Sequence, residues 1–318
     1  MKHYLGIDLG GTNIVAGVVD AEHNIVCKHS VPTACPRPAQ AIVDDMVRCA
    51  RAAIAEAGLT EKDIEWIGVG TPGTADSEAG VVEFANNLDF HFVPLRDMIE
   101  EQIGLRVYLG NDANAAVYGE ALAGCAKGVR NVVGITLGTG VGGGIIIDGK
   151  VYGGFNFAGA ELGHMVIVYD GRPCTCGRKG CWEAYSSATG LINMTKEAML
   201  AHRDSKMWEL ADGDLEKVNG RTSYDGMRAG DAAAIAVVDE YVAYLGCGLA
   251  NIVNIFQPEV LFLGGGISKE GETLLAPLRT IIERETYCAN PNRRTRLVRA
   301  TLGGDAGLIG AAFLGNLA

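Results

Sequence analysis

The sequence predicts an α/β protein of duplicated design, and two observations predict it. One strand–glycine–strand device occurs twice. Tyr4–Leu9, a bend at Gly10-Gly11-Thr12 and Ile14–Val19 open the chain; Asn131–Leu137, a bend through Gly138–Gly144 and Ile145–Ile147 repeat the plan. Glycine takes positive φ and has no Cβ, so backbone N–H groups in such bends can approach an anion closely. In addition, strand-length apolar runs are interspersed with segments of helical apolar period along the chain.

Taken in order, Asn24–Val31 is a third strand, Pro32, Pro36 and Pro38 mark a linker, and Ile42, Val43, Met46, Ala50, Ala53 and Ile54 give a helix over Ala39–Gly58. Ile64–Val69 is a strand ended by Gly70-Thr71-Pro72-Gly73, Val81–Phe84 another, Pro94–Ile103 a helix and Arg106–Leu109 a strand. Asn111 and Asp112 follow at once and head an alanine-rich helix, Ala113–Ala123, which places them at the carboxyl end of a strand, where active sites of open α/β sheets sit. Beyond the second glycine hairpin, a glycine-rich loop spans Gly153–Gly163. Helices are expected at Trp182–Ala201, Ala232–Phe256, Leu274–Thr286 and Asp305–Leu314, and strands at Val260–Leu263 and Arg296–Leu302. Residues 203–230 read as a helix fragment and loop. The domain expectation is a smaller lobe over 1–118, with 305–318 packing back on it, and a larger lobe over 119–304 carrying a metal loop.

The 318 residues suffice for two domains with sizeable cores. A net charge of −11 excludes a general nucleic-acid binder, so a phosphate ligand must be held by local backbone donors, helix ends, basic side chains or a metal. No signal-peptide pattern and no apolar run of membrane-spanning length is read, and nine cysteines, six of them scattered singly, point to a reduced, cytoplasmic protein without membrane partners.

Cys174, Cys176 and Cys181 lie within eight residues, with His164 ten residues upstream of the first. Three thiolates and a histidine suit a closed, structural Cys₃His zinc site; the alternative is free surface thiols beside a solvated histidine. Asp112 fits a general base, with Asn111 beside it to bond a substrate hydroxyl, and equally fits a helix cap. Glu161 and Glu183 flank the metal cluster and suit sugar hydroxyls or, alternatively, are surface charges. Asp8, a charge inside a strand, can sit near a phosphate-bound Mg²⁺ or bond the turn amides.

The motifs Asp8-Leu-Gly10-Gly11-Thr12, Asn111-Asp112-Ala-Asn114-Ala-Ala, Gly138-Thr139-Gly140-Val-Gly142-Gly143-Gly144, Glu161-Leu-Gly-His164, Cys174-x-Cys176-Gly-x-x-Gly-Cys181-x-Glu183 and Leu263-Gly264-Gly265-Gly266 occur in this order. The chain thereby resembles the ROK family of bacterial sugar kinases and repressors from residue 4 to its end, and within it the glucokinases. The resemblance implies a duplicated actin-like (ribonuclease H-like) ATPase fold with two lobes and ATP in an interlobe cleft. It implies ATP, Mg²⁺ and structural Zn²⁺ as cofactors, a hexose acceptor and a homodimer. ATP would meet Asp8, Gly10, Gly11, Thr12, Asn13, Gly138, Thr139, Gly140, Gly142 and Gly143, with Gly265 and Gly266 near the adenosine. Asp112 would take the proton of the sugar 6-hydroxyl. Asn111, Glu161, His164 and Glu183 would hold the other hydroxyls, and Gly73 and Asn87 would line the pocket, with Asn86 as the substitute for Asn87. His164, Cys174, Cys176 and Cys181 would hold zinc. Many members carry Lys after Gly-Gly-Thr; Asn13 stands here, which leaves more phosphate charge to Mg²⁺ and backbone N–H groups. The rival readings are a sugar-sensing repressor, disfavoured by the acidic chain with no segment for a DNA-binding domain ahead of the first strand, and a non-catalytic sugar binder, disfavoured by Asp112 and both turns. Within kinases, N-acetylmannosamine, N-acetylglucosamine, mannose, fructose or allose are alternative acceptors, and polyphosphate an alternative donor.

Overall fold

Thirteen strands and ten helices make up the described residues, 2–288 and 290–318 of a computed structural model, together with short 3₁₀ turns and loops. The strands are β1 His3–Leu9, β2 Asn13–Asp20, β3 Ile25–Pro32, β4 Ile64–Thr71, β5 Thr74–Asp76, β6 Val81–Ala85, β7 Phe90–Val93, β8 Val107–Asn111, β9 Val132–Leu137, β10 Val141–Ile147, β11 Lys150–Val151, β12 Val260–Gly265 and β13 Arg296–Arg299. The helices are α1 Ala39–Glu56, α2 Leu95–Ile103, α3 Asp112–Ala123, α4 Glu183–Ser186, α5 Ala188–Ala201, α6 Met207–Leu210, α7 Thr222–Arg228, α8 Ala232–Phe256, α9 Glu272–Glu285 and α10 Asp305–Ala312.

Two five-stranded sheets repeat one plan, with orders β3-β2-β1-β4-β8 and β11-β10-β9-β12-β13; a three-stranded sheet, β5-β6-β7, is an insertion in the first half. Contact density divides the chain into one unit of residues 1–132, 144–160 and 301–318 and another of residues 133–143 and 161–300. The sequence expectation drew its boundary after residue 118 and kept 144–160 in the second lobe. Chain-order composition carries no sign of the excursion by which these residues join the first unit.

In the first unit, β1 runs antiparallel to β2 and parallel to β4, and Leu5, Ile7 and Leu9 are fully buried. Apart from His3 and Asp8 the run is apolar, because both faces of a central strand are covered. α1 packs on β2 and β3, and α10 on β1, β2 and β4. The approach of α10 is backbone on backbone: a Cβ at Gly6 would collide with the carbonyl oxygen of Leu308, and one at Gly68 with that of Ala311. α10 also crosses α3 at paired glycines, Gly310 against the carbonyl of Ala115 and Gly119 against that of Ala306. Buried Glu120 ties the end of α3 to the returning chain: its carboxylate accepts from the N–H groups of Cys125, Thr301 and Leu302 at 2.8 Å.

In the second unit, α8 is the interior helix, packed against α5, α7 and α9, with Tyr241, Leu245, Leu249 and Ile252 fully buried. The expectation that no apolar run reaches membrane-spanning length does not hold for this element. Its 25 residues, with a window of mean hydropathy 1.4, are long and apolar enough to cross a membrane by length and composition; half of that window is buried inside the protein, which accounts for its apolarity. The helix expected over 182–201 is interrupted at Ser187, which leaves α4 and caps α5 by accepting from the Gly190 N–H at 3.0 Å. The segment 203–230, expected to be a helix fragment and loop, folds into α6, α7 and one short 3₁₀ turn, Leu215–Lys217.

Candidate active site

Each half of the duplicated plan carries one glycine turn, and each turn is braced from below. Between β1 and β2, the Gly10 N–H donates to the Asn13 carbonyl at 2.9 Å, closing the bend. Thr33, fully buried, fixes it from β3's end: its N–H donates to the Thr12 carbonyl at 2.8 Å and its hydroxyl to the Gly10 carbonyl at 2.6 Å. Sequence reading passed over Thr33, which stands in the proline-marked linker with no motif around it. Thr12 and Asn13 are exposed, leaving the turn open to a ligand.

Asp8, one residue before this turn, pairs with Val15 and Gly70 in the sheet. Burial, and after it the negative charge of Asp112, raises its pKa to about 6. Burial also raises the pKa of Asp112, against the lowering effect of the Ala113 N–H, which donates to Asp112 Oδ1 at 2.8 Å. The two carboxylates expected to serve a cation and a substrate proton thus lie close enough to repel one another. Asp112 is the first residue of α3, and the cap is its neighbour: Asn111 Oδ1 accepts from the Asn114 N–H at 3.1 Å, while Asn111 Nδ2 donates to the Gly73 carbonyl at 3.1 Å. Gly73 has φ +84° and lies against the Phe84 carbonyl, where no side chain fits. Asn87 lies against the first glycine turn, its Nδ2 3.1 Å from where a Cβ of Gly11 would stand; Asn86 and Asn87 are both exposed. A cavity of about 950 Å³ in the same unit reaches Asn111 and Asn114 from the open edge of β8, beside Gly153, Gly154 and Phe157, but does not include Asp112.

In the second unit the turn after β9 closes with the Gly138 N–H donating to the Gly140 carbonyl at 3.0 Å. It is held by the segment that follows the cysteine loop. The Ala188 N–H donates to the Gly138 carbonyl and the Thr189 hydroxyl to the Thr139 carbonyl, both at 2.8 Å, and the Val141 N–H donates to Glu183 Oε2 at 2.9 Å. Ala188 and Thr189 are further contributors that no motif had signalled. Gly265, φ +84°, is the last residue of β12, and its carbonyl accepts from the Ser268 hydroxyl at 2.8 Å; Gly266 opens the short 3₁₀ turn Ile267–Glu270.

His164, Cys174, Cys176 and Cys181 bring one ligand atom each to a common point, all within 4.8 Å of one another. Cys174 Sγ is 3.7 Å from His164 Nδ1, and Cys176 Sγ 3.7 Å from Cys181 Sγ. Tetrahedral zinc with bonds of about 2.0–2.3 Å separates its ligand atoms by about 3.6–3.8 Å, so the donor set and its spacing fit that ion. The loop closes on itself through the Gly177 N–H to the Cys174 carbonyl, with Gly177 and Gly180 at positive φ. Glu161, itself exposed, leads into the short 3₁₀ turn Leu162–His164, in which Gly163 is buried, and Glu183 follows Cys181 at the start of α4.

Twin sheets with a glycine turn in each and a carboxylate at the carboxyl end of β8 define an actin-like α/β fold of the sugar-kinase type. The chain belongs to the ROK family, whose model matches residues 4–316. It is 40% identical over 98% of its length to a glucokinase of Streptomyces coelicolor, covering 96% of that protein. The structure of a ROK family glucokinase from Streptomyces griseus in complex with glucose and AMPPNP superposes with a TM-score of 0.80 at 39% identity, covering 98% of both chains. That of a ROK hexokinase from Thermus thermophilus gives 0.80 at 35% identity, over 98% of this chain and 97% of the other.

Proposed function

We propose that this protein is an ATP-dependent hexose kinase that phosphorylates the 6-hydroxyl of glucose, giving glucose 6-phosphate and ADP. The observation that carries the reading is the full-length likeness to the Streptomyces griseus glucokinase bound to glucose and AMPPNP, combined with a half-buried Asp112 left out of the capping role by Asn111. Phosphoryl transfer is mostly positioning and charge stabilisation. Asp112, its pKa raised by burial, accepts the proton of the sugar O6 as that oxygen attacks the γ-phosphorus; the bond to the β,γ-bridging oxygen breaks and ADP leaves. The N–H groups of each glycine turn meet nucleotide phosphates, and Asn111, Glu161, His164 and Glu183 hold the remaining sugar hydroxyls, with Gly73 and Asn87 lining the pocket. Mg²⁺ would supply neutralisation of phosphate charge, and Asp8, a hard-oxygen carboxylate, would hold it or its water. Zinc in the Cys₃His loop is structural. A cytoplasmic setting belongs to the same reading, which the nine free thiols support.

The test is a coupled assay of glucose, mannose, fructose, allose, N-acetylglucosamine and N-acetylmannosamine, each with ATP and with polyphosphate. Glucose with ATP is expected to give the highest kcat/KM. The Asp112→Ala variant is expected to lose about 10²–10⁴-fold in kcat while still binding ADP. A different leading sugar or donor replaces the glucose assignment. Near-normal turnover of a folded Asp112→Ala removes the base assignment, and no transfer to any sugar removes the kinase reading.

A further inference from the structure

Glu183 faces two ways. Its Oε2 accepts from the Val141 N–H in the second glycine turn at 2.9 Å, and Oε1 accepts from the Thr175 hydroxyl at 3.4 Å and stands 3.7 Å from Cys174 Sγ, both in the metal loop. The carboxylate lies so close over the turn that a Cβ at Gly140 would collide with it. On the other side of the same turn, the Val141 carbonyl packs on Gly163, next to His164, where again no side chain fits. The turn is therefore clasped between the two strands of chain that bring in the first and last metal ligands. We propose that Glu183, with Thr189 as a second tie, is a positioning residue that couples occupancy of the Cys/His centre to the shape of the glycine turn, so that metal and nucleotide bind cooperatively.

The physical basis is ordering. A metal that fixes His164, Cys174 and Cys181 fixes both walls of the clasp, so the turn presents its N–H groups without a further entropy cost when phosphates arrive. Without the metal, the loop and Glu183 loosen together and the nucleotide must order them itself. This coupling differs from the sugar role of Glu183 because it acts with no sugar present. By linkage it is reciprocal: nucleotide must tighten metal binding by the same factor. The inference rests on the reading that the turn takes nucleotide.

The experiment is calorimetric binding of ADP, without sugar, to zinc-loaded and zinc-stripped protein, with circular dichroism to confirm that the stripped form remains folded. It is paired with zinc competition against a chromophoric chelator, with and without ADP. The expected result is ADP binding weaker by about fivefold or more in the stripped protein, and zinc held more tightly by the same factor when ADP is present. Glu183→Ala and Thr189→Val, both zinc-loaded, should each weaken ADP binding and shrink the effect of ADP on zinc affinity. Should stripping unfold the protein, the reciprocal competition and the loaded variants decide alone. Equal ADP affinity with and without zinc, or loaded variants that bind ADP as wild type does, overturns the coupling while leaving the kinase reading intact if glucose is still phosphorylated. Loaded wild-type protein that binds no ADP overturns both.

Discussion

Asp8 sits within a strand, half-buried, with the charge of Asp112 nearby, and its folded pKa of about 6 stands above the 3.8 of an unperturbed aspartate. The folded form therefore binds this proton more tightly than the unfolded chain does. Stability from this group is fully present below about pH 4 and is lost as the pH rises through the window from 3.8 to about 6. Asp8→Asn removes the ionisation. Measured without Mg²⁺, the variant is expected to be more stable than wild type at pH 7 by about 1–3 kcal/mol, with the gain fading to nothing near pH 4. Chemical denaturation across that range checks it; a variant less stable at pH 7 contradicts it. At this scale much of the site was legible. Asn111-Asp112 after an apolar run, the glycine bends and the cysteine spacing are local patterns, and local patterns survive in sequence. The sequence could not divide the labour between Asn111 and Asp112, because both are good caps and only backbone geometry decides which side chain turns inward. Thr33, Ala188 and Thr189 brace the turns through one or two hydrogen bonds each to carbonyls, a use that leaves no composition signal.

Helix α3 presents Asp112 from its first residue, and its position depends on how closely α10 crosses it. Paired glycines set that crossing: Gly310 rests on the Ala115 carbonyl, and Gly119 on that of Ala306. A methyl group at Gly310 has no void to enter and meets backbone, which cannot rotate away. Gly310→Ala is expected to destabilise the protein by about 3 kcal/mol, the upper end of ordinary overpacking, and to lower kcat through displacement of α3. Gly304→Ala, at a position with open space around it and φ −71°, is the control and should change stability by less than about 0.5 kcal/mol. Urea titration distinguishes the two. Elements with strong period were readable, α1 and α8 above all. The interruption at Ser187 was not, because residues on either side share one apolar period, and a cap alone marks the break. The sheet β5-β6-β7 escaped in part because its strands are short, three to five residues each.

For the molecule as a whole, the metal loop is the nearest thing to a covalent staple, since all nine cysteines are free thiols. Freshly purified protein is expected to contain about one zinc per chain by elemental analysis. Prolonged chelation should lower the melting temperature by roughly 10 °C, with recovery on adding zinc back; no stoichiometric zinc, or an unchanged transition, removes the structural role. The duplicated plan was visible from the two glycine devices, yet the path of the chain between units was not. The excursion of 144–160 is set by long-range packing that no local period encodes, whereas the return of 305–318 onto the first lobe was among the sequence expectations. That return has a consequence for biosynthesis. Gly6 and Gly68 expose a furrow in the opening sheet that only the backbone of Leu308–Ala312 fills. A ribosome therefore releases the N-terminal unit with its floor missing and completes it last, so nascent chains stalled before α10 should be the protease-sensitive species that chaperones hold.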